Sequence, residues 1–125
     1  MNGAGAGPGH FDPAKLDDLR ALERPGNEGF FARILNTFLT DAARRLEDIG
    51  KGVEEGDYQA VVMAAHTLKG SCSYVGAVRL AGQMKALEEA AQSGPPPEGL
   101  VGEIRSELES LRRLLVEESG RAGAK

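Results

Sequence analysis

The sequence predicts an all-α protein, an antiparallel four-helix bundle with a short additional N-terminal helix, and three observations carry that prediction. Apolar residues recur at steps of three and four through four long segments. No segment shows the two-residue alternation of a half-buried strand. With four Phe, two Tyr and no Trp in 125 residues, the core must come mainly from Leu, Val, Ile, Ala and Met, which suits packed helices better than a sandwich. The length suits one domain with one core.

Caps and breakers mark the elements in order. Residues 1–10, glycine-rich and with no apolar side chain larger than Met up to Gly9, read as a flexible tail. Asp12 is a good N-cap with Pro13 at the first helical position, opening a short helix through Leu16, Leu19 and Leu22 that stops near Pro25-Gly26. Asn27 can cap the second helix, where Phe31, Ile34, Leu35, Phe38, Ala42, Leu46 and Ile49 share a face, and Gly50, Gly52 and Gly56 are expected to end it. Asp57 caps the third, with Tyr58, Val61, Ala65, Leu68 and Cys72 inward. The fourth runs from about Ala77 to Gln92 on Ala77, Leu80, Met84, Leu87 and Ala91, and Ser93-Gly94-Pro95-Pro96-Pro97 breaks it. Val101, Ile104, Leu108, Leu111 and Leu115 carry the fifth. The folded domain is thus expected over 11–118, with 119–125 a second flexible tail.

Composition excludes several function classes. The formal charge of −4 comes from interspersed acids and bases, so no basic stripe offers itself to a nucleic-acid backbone. The longest wholly apolar run, Ala60 to Ala65, is far short of a membrane span, and the N-terminus lacks a signal-peptide pattern, so a cytoplasmic protein is expected. Cys72 is the single cysteine and His10 and His66 are the only histidines, which leaves no ligand set for a metal.

The chemistry concentrates in the run His66-Thr67-Leu68-Lys69-Gly70-Ser71. Advancing about 100° per residue from Val61 puts Ala65, Leu68 and Cys72 in the core-facing arc and His66 about 140° away, beside Val62, Lys69 and Ser73. The imidazole is therefore expected beyond the core edge. Lys69, one turn along the same side, can set an ammonium beside a group attached to the ring. Gly70 leaves the approach bare. A glycine inside a helix costs about 1 kcal/mol relative to alanine, so access is the favoured reason for it; the alternative is a helix end, for which Gly76 is the better candidate. A nucleophilic imidazole also needs a fixed tautomer, which a carboxylate can set by accepting a hydrogen bond from the other ring nitrogen. Glu88 lies at the flank of the fourth helix's apolar stripe, and periodicity alone leaves it either this orienting role or that of a rim carboxylate.

These residues, followed by Gly76-Ala77, resemble the signature of histidine-containing phosphotransfer (HPt) domains, and the resemblance extends over roughly Phe11 to Val116. Asp12-Pro13, Phe38-Leu39, Gly56-Asp57 and Leu87-Glu88 add to it. It implies that His66 accepts a phosphoryl group from a receiver-domain aspartate and passes it to another receiver, that Lys69 supports that group, that Gly70 keeps the approach open and that Glu88 orients the ring. Cys72 departs from the usual small Ser or Ala, and its core-facing position makes it a packing residue.

The resemblance further implies a phosphocarrier with no cofactor of its own, Mg²⁺ being held by the partner receiver. The partners it implies are response-regulator receivers and a sensor or hybrid histidine kinase, and a monomer is the simplest state. Leu16, Leu19, Phe30, Val62, Met63 and Ser73 are the candidates for a docking face around His66, although Leu16 and Leu19 also suit the core. Two other readings are the phosphoacceptor domain of a larger kinase and a helical adaptor that uses no phosphate. The intact Lys69, Gly70 and Glu88 argue against the adaptor.

Overall fold

A computed structural model describes residues 9–123, with side chains through Glu117, as helices α1 (Pro13–Arg20), α2 (Phe30–Glu55), α3 (Tyr58–Val75), α4 (Val78–Ser93) and α5 (Leu100–Gly123). Neighbouring contacts run α2 to α3, α3 to α4, α4 to α5 and back from α5 to α2, closing a four-helix ring, and α1 lies against α3. The short connections Gly56-Asp57 and Gly76-Ala77 reverse the chain, as an up-and-down bundle requires. Among the described residues there is no strand.

The stripes read from sequence become the core. Phe31, Leu35, Phe38, Ala42, Leu46 and Ile49 of α2 meet Val61, Ala65, Leu68, Cys72 and Val75 of α3 and Leu80, Met84, Leu87 and Ala91 of α4. Burying a side chain the size of Leu or Phe contributes about 1.5–3 kcal/mol, so these stripes dominate the stability of the bundle. On α5 the buried set is Ile104, Leu111 and Leu115, joined by Glu107, which is only 5% exposed. Val101 and Leu108 flank that stripe half-buried.

Several boundaries differ from the sequence expectation for local reasons. Helix α1 ends at Arg20, leaving Leu22 42% exposed in the connection. Asn27 does not cap α2. Its Oδ1 accepts from Arg24 N and its carbonyl from Phe30 N, folding the connection on itself. The side chain that meets the start of α2 is instead that of Glu23, whose carboxylate accepts from Gly29 N at 2.6 Å and Phe31 N at 3.2 Å and so places a negative charge at the positive helix end.

Gly50 and Gly52 do not stop α2, which continues to Gly56 in the left-handed conformation at φ 73°. Gly52 has a packing reason: a Cβ there would sit 2.8 Å from Val61 Cγ2, so the glycine lets α2 approach α3 closely. As expected, Asp57 accepts from Ala60 N at 3.2 Å and starts α3. Helix α5 runs to Gly123, so 119–123, expected as tail, is helical. Of the expected N-terminal tail, residues 1–8 lie outside the described residues, while His10 is held by a 2.8 Å hydrogen bond from its Nδ1 to Glu107 and Phe11 is buried.

Candidate phosphotransfer site

Helix α3 sets the site. Its core face turns Leu68 and Cys72 inward, and the same geometry turns His66 outward, its side chain 67% exposed. Glu88 on α4, expected at the stripe's flank, reaches across the α3–α4 seam and accepts a hydrogen bond from His66 Nδ1 at 3.0 Å. Its other oxygen accepts from Lys69 Nζ at 2.9 Å. One carboxylate thus joins the imidazole and the ammonium. The Lys69 ammonium first, and the His66 hydrogen bond with it, hold the Glu88 carboxyl below the usual glutamate range. The ionised carboxylate can only accept, so the proton of a neutral His66 sits on Nδ1 and the lone pair on Nε2.

Gly70 lies within α3, and Gly76, left-handed at φ 77°, is the residue that ends the helix. That removes the helix-end explanation for Gly70. A Cβ built on Gly70 meets nothing within 4 Å among the described residues, so none of their packing requires a glycine there. The approach to His66 is correspondingly open. Cys72 is buried one turn beyond Leu68, and burial first, with the Glu107 charge second, pushes its thiol up to about 12. It stays a protonated packing group. Among the described residues no cluster of three His, Cys, Asp or Glu is placed to hold a metal.

The proposed docking residues divide. Met63 is 65% exposed one turn before His66, and Ser73 is exposed on the same side. Phe30 and Val62 are half-buried. Leu16 and Leu19, each 3% exposed, belong to the core instead, because the short α1 has no other apolar face with which to hold itself on α3. A feature the sequence reading missed lies on the α2 side of Gly70, an open groove of roughly 730 Å³ walled by Phe30, Ile34, Tyr74 and Val75. Tyr74, 54% exposed, sits about 80° round α3 from His66, a placement that a search for the groove from the wheel alone could have used.

The family model for the Hpt domain matches residues 33–114. The chain belongs to the Hpt-domain family. Its function is histidine phosphotransfer in phosphorelay signalling. The solved structure of histidine-containing phosphotransfer protein B (HptB) from Pseudomonas aeruginosa PAO1 is similar to it at 32% identity, covering 92% of this chain and 98% of that one with a TM-score of 0.82. No curated protein matches significantly. The Hpt match begins inside α2, so α1 and the arm before it lie outside the matched segment. No helix among the described residues is long and apolar enough to cross a membrane. Hpt domains partner with receiver domains and kinases in phosphorelays.

Proposed function

We propose that His66 Nε2 is the phosphoacceptor of this Hpt domain, and the observation that carries this is the exposed ring hydrogen-bonded through Nδ1 to a carboxylate that also holds Lys69. The Nε2 lone pair forms the new bond to phosphorus as the acyl-phosphate P–O bond of a receiver aspartate breaks. The aspartate leaves as a carboxylate with the bonding electron pair. The ring keeps its Nδ1 proton throughout, and the positive charge it acquires is met by Glu88. Transfer to a second receiver runs the same steps in reverse.

Lys69 supplies the offset for the phosphoryl charge. Its ammonium has three donors on a flexible stem, so it can keep one on Glu88 and turn another to the phosphoryl group. Gly70 admits the partner's edge, and Met63, Ser73, Phe30, Val62 and the adjoining groove offer it a mixed apolar surface. The protein acts as a carrier without a cofactor of its own, the receiver holding the Mg²⁺ and most of the charge stabilisation. A monomer in the cytoplasm that binds no nucleic acid fits the formal charge of −4 and the solvent-facing site.

The test is direct phosphorylation. A receiver charged with labelled phosphate is expected to transfer acid-labile label to the wild-type chain and none to His66→Gln. Label retained by His66→Gln would overturn the assignment, as would an unlabelled wild type with every receiver tried.

A further inference from the structure

We infer that residues 9–12 form a clasp, fastened by His10 to the buried Glu107 carboxylate, that makes the arm and α1 a unit able to open and close separately from the four-helix ring. The inference goes beyond the phosphotransfer reading and rests on no residue of that site. Three anchors hold the arm. His10 Nδ1 donates to Glu107 Oε2 at 2.8 Å, with the imidazole 19% and the carboxylate 5% exposed. Phe11 is 4% exposed in the core. Asp12 N donates to the carbonyl of Gly76 at 2.8 Å, on the residue that ends α3.

The anchors reach different elements, and that makes the arm a strap. Glu107 is on α5, Gly76 joins α3 to α4, and Arg79 of α4 approaches the second carboxylate oxygen at 3.9 Å. The arm passes so close that a Cβ on Gly9 would lie 2.9 Å from Arg79 Nη2. A buried carboxylate requires a hydrogen-bonded partner, and the arm provides the short one.

Helix α1 depends on that arm. It spans 8 residues, too few to be stable in isolation, and its inward side chains are Leu16 and Leu19. At Gly76 the contact is tight, since a Cβ there would lie 2.7 Å from Lys15 Cβ. Freed from Glu107, the arm keeps Phe11 and the Gly76 hydrogen bond among the described residues, so α1 joins the low-stability end of the molecule while α2–α5 keep the larger share of the core.

Amide hydrogen exchange on the full chain tests this. His10→Ala is expected to speed exchange across 12–20 by about tenfold, with those amides opening more readily and with a smaller denaturant dependence than the amides of α4. Glu107→Gln is expected to act on the same amides, and the double variant to exceed neither single one by much, because the two residues act through each other. Unchanged protection of 12–20 in both variants overturns the clasp. So does a denaturant dependence across 12–20 equal to that of α4, which would mean that the arm and α1 open only with the whole bundle, or full additivity in the double variant, which would mean that the residues act independently.

Discussion

The chain contains two histidines, each presenting Nδ1 to a glutamate whose other oxygen faces a cation, and they have opposite surroundings. His66 meets Glu88 at 3.0 Å with Lys69 at 2.9 Å, and His10 meets Glu107 at 2.8 Å with Arg79 at 3.9 Å. The imidazole–carboxylate geometry is nearly the same, while the cation is close at Glu88 and looser at Glu107. Exposure separates them: the His66 side chain is 67% open, that of His10 19%, and Glu107 is sunk to 5% against 15% for Glu88. A hydrogen bond that fixes a tautomer prepares a nucleophile only where a partner can reach the free nitrogen. Where the pair is covered, the same bond fastens one segment to another. Hydrogen-bond distance alone therefore does not assign a role.

The largest expected contrast is in phosphotransfer. His66→Gln is expected to abolish labelling from a phosphorylated receiver and leave the circular-dichroism melt unchanged, since the side chain is mostly in solvent. His10→Gln is expected to label at the wild-type rate, and a loss there equal to that of His66→Gln would dissolve the distinction between the pairs.

Stability is expected to divide the other way. His10→Ala strands the Glu107 carboxylate beside the more distant Arg79 and is expected to cost about 1–3 kcal/mol in urea unfolding, the range for an orphaned buried acceptor. Glu88→Ala is expected to slow phosphorylation several-fold, by releasing the ring, with a melt close to wild type. Equal melting points for the two variants would erase the energetic side of the comparison.

The Glu88 carboxyl titrates below its ordinary range because of Lys69 and His66. What the network adds to stability is therefore complete above the usual glutamate pKa and lost only as the pH falls through the lowered value. NMR titration of the Glu88 carboxyl is expected to show a midpoint below the usual glutamate value; a midpoint above it would contradict the ionised, hydrogen-bonded state.

Smaller effects are expected at two neighbours. Gly70→Ala is expected to raise helix stability by up to about 1 kcal/mol while slowing transfer from a receiver, because the added methyl group meets no atom of the described residues and stands on the approach. Faster or unchanged transfer would remove the access argument. Cys72, with its thiol pushed up to about 12, is expected to resist alkylation in the native state at neutral pH and react once unfolded.

The sequence alone determined the helix count, the core stripes, the cap at Asp57 and the cluster His66, Lys69 and Gly70, because helical period and local capping are properties of neighbours in the chain. It placed Glu88 on the correct flank but left its role open, since a wheel gives the angle of a side chain and not its reach. Tertiary structure decided what depends on distant segments. The Glu23 carboxylate rather than the Asn27 side chain meets the start of α2, Gly52 serves a helix contact instead of ending one, and Leu16 and Leu19 sink into the core. His10 and Glu107, 97 positions apart, look in sequence like a tail residue and one surface acid among many. Only folding, which removes the water around Glu107, makes that carboxylate need a partner and gives the arm its place.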